Sequence, residues 1–201
     1  MGRIAVAGAF VFGFFLLGVP GEVEAQRRFD PRRQARLIVD ANLAYTLITG
    51  EVGDSLNGGP GVEAAVLYQI ASVPLRVGAG GGYSRHGIQD ADGSANRYEI
   101  FAVADLLLFS EETQMLPYVQ GRVGWMQVSS SLNDGSTRIS GLELAALVGI
   151  DMPVAEKISI DVSGQFGWFN GGDLELDGVS VPGTSRTGSL FSIRAGAFFF
   201  F

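Results

Sequence analysis

Apolar side chains stand at nearly every second position from Leu37 to the end of this 201-residue chain. A period of two residues is that of a β-strand, whose successive side chains point to opposite faces of the sheet. About eight segments of roughly ten residues repeat this pattern, and in each of them the more apolar face carries no charged residue. The sequence therefore predicts an all-β chain whose strands have one apolar face and one face of small, polar and charged residues.

The lengths of the strands and of their connections favour an antiparallel, up-and-down barrel that crosses a membrane. A tilted strand of about ten residues spans the ~25 Å apolar band of an outer membrane. The connections are predicted to alternate between short turns and longer loops rich in Gly, Asn, Asp and Ser, as in a barrel with both termini on one side. The predicted turns are Ala71–Pro74, Phe109–Leu116 and Asp151–Lys157, and the predicted loops are Thr49–Gly61, His86–Asn96, Ser129–Thr137 and Asn170–Arg186. Within the last loop, Leu174–Val181 is predicted to form a β-hairpin.

The chain ends on four phenylalanines, with no charged residue to solvate its end. With a period of two, Phe199 and Phe201 lie on the apolar face of the last segment, and Arg194 and Gly196 lie on the other. The order polar–x–Gly–x–x–aromatic–x–aromatic, formed by Arg194, Gly196, Phe199 and Phe201, resembles the C-terminal assembly signal of bacterial outer-membrane β-barrels.

Together with this signal, the strand pattern of residues 37–201 resembles the small eight-stranded outer-membrane β-barrel family of the OmpA-like and opacity-protein type. The resemblance implies an eight-stranded antiparallel transmembrane barrel in the outer membrane of a Gram-negative cell. It also implies contact with outer-membrane lipid and lipopolysaccharide, recognition of the C-terminal strand by the barrel assembly machinery, and a monomer. A soluble β-sandwich or lipocalin also alternates, but it exposes its charged face to water. The aromatic end and the N-terminal segment favour the membrane barrel.

The first 25 residues have the layout of a secretory signal peptide. Arg3 precedes an uncharged apolar run from Ile4 to Val19, and the small residues Val23 and Ala25 suit cleavage before Gln26. Residues 26–36, which include Arg27, Arg28, Arg32, Arg33 and Arg36, are predicted to be a solvated periplasmic leader. The predicted organisation is a signal peptide at 1–25, a leader at 26–36 and a barrel at 37–201.

Composition argues against several classes of function. The net charge of −7 argues against a nucleic-acid partner. The chain has no cysteine, which excludes a disulfide framework and a cysteine zinc site, and its only histidine, His86, excludes a site with several histidine ligands. We therefore expect no metal and no cofactor.

Charged residues on the predicted inner face are the candidate functional residues. An eight-stranded barrel has an interior that side chains just fill, so a charge there must be paired or hydrated. Two hypotheses follow: a structural network in which Arg76, Arg122 and Arg194 bridge carboxylates, or a narrow polar path that opens when pairs exchange. The predicted inner charges are Asp40, Glu63, Arg76, Glu99, Asp105, Arg122, Glu143, Asp161 and Arg194. Phe198 and Phe200 share this parity and are expected to plug the barrel near the termini.

Three short motifs that suggest chemistry are better explained by structure. Ser84 and His86 share one face, but the predicted inward direction of the pair does not present it to a lipid substrate. The Gly78–Gly82 run lacks the spacing of a phosphate-binding loop and is expected to let side chains of neighbouring strands approach. The Asp90–Ser94 segment has Phe101 where a calcium loop needs its twelfth-position glutamate, so turn chemistry explains it better.

The sequence thus supports a hypothesis of a non-enzymatic outer-membrane barrel with a structural or surface-interaction role, whose outer loops are candidate binding surfaces. A small passive channel for small solutes is the alternative. A lipid A-modifying enzyme that uses His86 is a third, weaker hypothesis.

Overall fold

The computed structural model describes residues 37–70, 73–89, 92–108, 115–132 and 135–201. These residues form β1 (Leu37–Thr49), β2 (Gly59–Gln69), β3 (Leu75–Gly87), β4 (Ser94–Leu107), β5 (Leu116–Leu132), β6 (Gly135–Ala155), β7 (Ile158–Gly171), β8 (Leu174–Leu176), β9 (Val179–Val181) and β10 (Thr187–Phe200). Across these ranges, no helix combines the length and the apolar character needed to cross a membrane. The predicted signal peptide and leader, residues 1–36, lie outside the described residues.

Eight of these strands close into an antiparallel barrel. They follow the order β5-β4-β3-β2-β1-β10-β7-β6, and β5 pairs with β6 to complete the ring. The first and last strands meet along a register that runs from Ile38 opposite Phe200 to Thr49 opposite Ser189. Full closure pairs the edges that an open sheet would leave exposed. The predicted all-β, eight-stranded, up-and-down barrel is confirmed.

The two ends of the barrel differ in what they carry. Leu37 and Phe200 lie at the end where β2 joins β3, β4 joins β5 and β6 joins β7, which we call the turn end. The other end, which we call the loop end, carries the predicted hairpin as β8 and β9. Asp177 and Gly178 link these strands with positive φ angles of 49° and 80°, as in a type I′ turn. β8 also pairs with β6, so the sheet continues beyond the barrel.

The predicted alternation of short turns and long loops is wrong in two places. β5 and β6 continue through the predicted loop Ser129–Thr137, leaving only positions 133 and 134 between them, because Ser129–Ser131 pair with Ser136–Arg138 as an extended hairpin. The polar residues of this hairpin are compatible with strands that extend beyond the barrel and bury neither face. β6 also continues through most of the predicted turn Asp151–Lys157, and a register shift between Pro153 and Ala155 accommodates the proline.

Apolar side chains cover the outer wall, and the core lies inside the barrel. Leu43 and Ile193 are 70% and 73% exposed, and each of the eight barrel strands carries at least one exposed large apolar side chain. Inside, two buried clusters lie near the two ends. The loop-end cluster comprises Ile48, Ala95, Met126, Val128, Ile139, Phe169 and Leu190. The turn-end cluster comprises Ile38, Ala65, Leu67, Phe101, Val103, Leu107, Tyr118, Leu147, Phe198 and Phe200.

Candidate functional site in the barrel lumen

Between the two apolar clusters, the lumen holds a concentration of buried charge. The strands bring these side chains together because each occupies an inward position of the two-residue repeat. The described lumen contains four arginines and seven carboxylates: Arg76, Arg97, Arg122 and Arg194, with Asp40, Glu63, Glu99, Asp105, Glu143, Asp151 and Asp161. All are at least nine-tenths buried.

Arg122 of β5 contacts the acidic side chains of two other strands, Glu63 of β2 and Glu99 of β4. Its Nη1 lies 3.1 Å from Glu63 Oε2, and its Nη2 lies 3.3 Å from Glu99 Oε1. Nη1 also donates to Gln165 Oε1 at 2.5 Å. The guanidinium carbon lies 3.5 Å from the centre of the Phe101 ring, which adds a cation–π contact.

Two further arginines extend this contact into a chain of alternating charge. Arg194 reaches Asp40 Oδ2 at 3.3 Å and Glu63 Oε2 at 3.4 Å, so it shares Glu63 with Arg122. Arg97 bonds Glu99 and lies 3.4 Å from Glu143 Oε2. We call the resulting series the charge chain: Glu143, Arg97, Glu99, Arg122, Glu63, Arg194 and Asp40. Every guanidinium in it lies between two carboxylates, which offsets the cost of desolvating both kinds of group.

The remaining buried charges lie outside the charge chain. Arg76 Nη2 bonds Asp151 Oδ2 at 3.0 Å, and its guanidinium lies 5.0 Å from the centre of the Phe198 ring. Asp105 accepts a hydrogen bond from Gln120 Nε2 at 2.7 Å. Asp161 accepts one from the Tyr118 hydroxyl at 2.7 Å and another from Ser163 Oγ at 3.1 Å. Neutral donors therefore serve both oxygens of Asp161 but only Oδ1 of Asp105, whose Oδ2 is buried without a hydrogen-bond partner among the described residues.

The structure places all nine predicted inner charges in the lumen but groups them unevenly. Six belong to the charge chain, namely Asp40, Glu63, Glu99, Arg122, Glu143 and Arg194. Arg76 instead pairs with Asp151, which the sequence analysis assigned to a turn. Asp105 and Asp161 are held by hydrogen bonds from neutral side chains.

Sequence reasoning missed Arg97 and Asp151. Arg97 has the same parity as Glu99, two positions along β4, and this signal could have identified it. Asp151 continues the inward parity of Glu143, but the nearby Pro153 obscured the continuation of β6.

Glycines on inward positions of β3 make space for these side chains. A Cβ on Gly80 would lie 2.7 Å from the Phe101 ring. A Cβ on Gly82 would lie 2.5 Å from Glu99 Oε1 and 2.9 Å from Glu63 Cγ. The Gly78–Gly82 run therefore lies against the charge chain, and neighbouring side chains fill the volume that its missing side chains leave.

Ser84 and His86 form a hydrogen-bonded pair just inside the loop end. His86 Nε2 lies 2.9 Å from Ser84 Oγ, and Nδ1 lies 3.1 Å from the Asn57 carbonyl oxygen. A carbonyl oxygen only accepts, so in the neutral imidazole Nδ1 carries the hydrogen and Nε2 accepts from Ser84. Ser84 and His86 are 1% and 0% exposed. The pair resembles a nucleophile and its base in geometry, but it is closed to substrate.

Metal binding has no support in the part of the chain that the structure describes. Those residues include no group of three or more His, Asp or Glu side chains arranged to hold an ion. The Asp90–Ser94 segment is described only from Asp92 onward.

The residues of the C-terminal motif lie on both faces of β10. Arg194 points inward into the charge chain. Gly196 packs against Asn42, where a Cβ would collide with β1. Phe199 and Phe201 lie on the outer face and are exposed, whereas Phe198 and Phe200 are buried in the turn-end cluster.

The fold is shared with solved bacterial outer-membrane barrels. Neisserial surface protein A has 19% sequence identity and a TM-score of 0.63, over 82% of this chain and 97% of that one. OprG from Pseudomonas aeruginosa has 10% identity and a TM-score of 0.55, over 83% and 96% of the two chains. AlkL, solved in lipid bilayers, has 13% identity and a TM-score of 0.52, over 91% and 97%. No protein-family model matches the sequence, and no curated protein matches it either.

Proposed function

We propose that this protein is an integral outer-membrane β-barrel with a structural and surface-contact role. One observation carries the proposal: an apolar outer wall encloses a lumen that holds the buried charges. In water, this arrangement would expose apolar side chains such as Leu43, Ile100 and Ile193 around the whole barrel. In a bilayer, the same side chains meet lipid, and a closed barrel satisfies every backbone group of the wall.

Heat-modifiable migration of the membrane-extracted protein tests this proposal. A closed membrane barrel is expected to run as a compact band in SDS without boiling and to shift after boiling. A soluble β protein that unfolds in SDS is expected to run at one position, and to be recovered without detergent. A single band in both conditions would contradict the proposal.

The filling of the lumen favours a closed barrel over a passive channel. The loop-end and turn-end clusters place buried apolar side chains on both sides of the charge chain, which supports a filled lumen rather than an open polar path. We therefore expect planar-bilayer recordings of the purified protein to lack discrete conductance steps. Regular steps would favour the channel instead.

Burial also argues against lipid modification by Ser84 and His86. A catalytic pair must reach the bond that it attacks, and these two side chains are enclosed by the wall and by the β1–β2 connection at Asn57. Overexpression of the protein is expected to leave lipid A unchanged. An altered lipid A that disappears in a His86→Ala variant would contradict this part of the proposal.

Export by residues 1–25 and assembly through the C-terminal strand complete the proposal. The side chains of Phe199 and Phe201 lie on the outer face of β10, where an assembly factor could contact them. Deletion of Phe201 is expected to lower the amount of protein in the outer membrane while leaving the unfolding midpoint of the assembled fraction nearly unchanged. Equal outer-membrane yields for the wild type and the deletion would contradict this role.

A further inference from the structure

The described lumen holds more acidic than basic side chains. Its seven buried carboxylates face four buried arginines, which is an excess of three negative charges if every group is ionised. The charge chain and the Arg76–Asp151 pair engage all four arginines. Among the described residues, Asp105 and Asp161 are left without a contacting cation. Burial of an ionised carboxylate without a partner is costly, and such a group tends to become neutral instead.

The surroundings of Asp161 suit a carboxylate, and those of Asp105 do not. Each oxygen of Asp161 accepts a hydrogen bond, one from the Tyr118 hydroxyl and one from Ser163 Oγ. Asp105 accepts a hydrogen bond on Oδ1 from Gln120 Nε2 at 2.7 Å. Its Oδ2 is buried without a hydrogen-bond partner among the described residues, and Asp105 is 0% exposed. A negative charge on Asp105 is therefore stabilised less well than one on Asp161.

Gln120 separates Asp105 from the nearby Arg194. Gln120 Oε1 accepts a hydrogen bond from Arg194 Nη1 at 3.5 Å, which leaves Gln120 Nε2 to donate to Asp105. Arg194 lies 3.3 Å from Asp40 Oδ2 and 3.4 Å from Glu63 Oε2. The positive charge of Arg194 is thus one side chain away from Asp105 and is already shared between two carboxylates.

Arg76 is the neighbour of Asp105 in register, but it is engaged elsewhere. Arg76 of β3 stands opposite Asp105 of β4, whereas its Nη2 bonds Asp151 Oδ2 at 3.0 Å and its guanidinium lies 5.0 Å from the centre of the Phe198 ring. Asp151 of β6 stands directly opposite Asp161 of β7. Like charges in such positions destabilise a sheet. Moving Arg76 to Asp105 would leave these two opposed aspartates without the cation that contacts Asp151.

We propose that Asp105 carries a proton on Oδ2 in the folded barrel, so that folding takes up a proton from water. The neutral acid keeps the hydrogen bond from Gln120 on Oδ1, and an unpaired hydroxyl costs less to bury than an unpaired charge. The unfolded chain exposes Asp105 to water, where a carboxyl group is ionised at neutral pH. The barrel therefore gains stability as the pH falls and loses it as the pH rises. The other titratable and charged side chains around this part of the lumen are Asp40, Arg76, Tyr118, Asp151, Asp161 and Arg194.

Infrared spectroscopy of the full-length protein folded in lipid vesicles tests the proposal directly. A protonated carboxyl group has a carbonyl stretch that is separate from the carboxylate bands, so the folded wild type is expected to show this stretch at neutral pH. Asp105→Asn is expected to lose the intensity of one carboxyl group. Asp40→Asn is the matched control and is expected to keep that intensity, because Asp40 is paired with Arg194. A wild type without the stretch, or an unchanged stretch in Asp105→Asn, would overturn the proposal.

The pH dependence of urea unfolding in the same vesicles measures the proton uptake. Over the pH range in which only the folded barrel holds the proton, the unfolding equilibrium constant of the wild type is expected to rise about tenfold per pH unit for Asp105. Asp105→Asn is expected to show a slope that is smaller by this amount, and to be at least as stable as the wild type above neutral pH. Asp40→Asn is expected to be less stable, because Arg194 then contacts one carboxylate fewer.

Three results of the unfolding experiment would overturn the proposal. The first is an equal slope for the wild type and Asp105→Asn. The second needs no variant, and is a wild-type unfolding constant that does not change with pH. The third is an unfolding midpoint that follows the sodium concentration and not the pH, which would assign the compensating charge to a metal cation.

Discussion

The inner and outer faces of the barrel are made by the same strands but follow opposite rules. Arg122 is buried between two glutamates, while Val123, the next residue of β5, is exposed on the outer wall. In a soluble protein, burial and apolar character coincide, whereas in the middle of this barrel the buried side chains are charged and the exposed ones are apolar. The comparison shows that parity, rather than hydropathy alone, decides what a substitution does.

The largest effect is expected when the charge chain is cut at its centre. Replacing Arg122 with Leu leaves Glu63 and Glu99 buried with one guanidinium contact fewer each. Breaking a buried ion pair costs about 3–5 kcal/mol of unfolding free energy. Urea unfolding of the barrel in lipid vesicles measures this loss. Val123→Leu is the matched control on the outer face, and we expect it to stay within about 0.5 kcal/mol of the wild type. Equal unfolding free energies of the Arg122→Leu and Val123→Leu variants would contradict the difference between the inner and outer faces.

Charge on the outer wall is expected to have a smaller but clear effect. Replacing the lipid-facing Leu43 with Lys costs about 2–4 kcal/mol if the residue lies near the bilayer midplane. The same substitution at Thr49, on the outer face of the same strand at its loop end, is expected to be nearly neutral. Vesicle unfolding again measures both variants. A neutral Leu43→Lys would show that this face does not meet hydrocarbon.

The smallest effect is expected from a single methyl group added to the lumen. Gly82→Ala places a Cβ within 2.5 Å of Glu99 Oε1, so the charge chain must shift. Overpacking of this kind costs about 1–3 kcal/mol. Gly164 of β7 provides the control, because a Cβ there meets no atom within 4 Å. Similar unfolding midpoints for Gly82→Ala and Gly164→Ala would mean that the lumen beside Gly82 accommodates a methyl group without overpacking.

The face of most strand residues could be predicted from the sequence, because the alternation of inward and outward side chains can be followed along one strand at a time. This is why all nine predicted inner charges, from Asp40 in β1 to Arg194 in β10, lie in the lumen. Asp151 was not predicted as an inner charge, because the segment from Asp151 to Lys157, which contains Pro153, was assigned to a turn. The bulge that accommodates Pro153 within β6 depends on the pairing of β6 with β7.

The partners of those charges could not be predicted in the same way. Arg122 meets Glu63 across the lumen, although 59 positions separate them in the chain. Such contacts depend on the stagger between strands and on how the ring closes, and a single-strand pattern contains neither. Gln165 and Gln120 were missed for a related reason, because an uncharged amide on an inward position does not stand out before its neighbours are known.

The seam between β1 and β10 has a consequence for the order of folding. Its register joins the first described strand to the last residues of the chain, as in the pairing of Ile38 with Phe200. The barrel therefore cannot close strand by strand as the chain emerges from the ribosome or the export channel. One edge of β1 has no partner until β10 is present. Pairings this distant in sequence close slowly, and an unclosed sheet offers two adhesive edges. The unclosed sheet must therefore be kept apart from other chains until β10 pairs with β1.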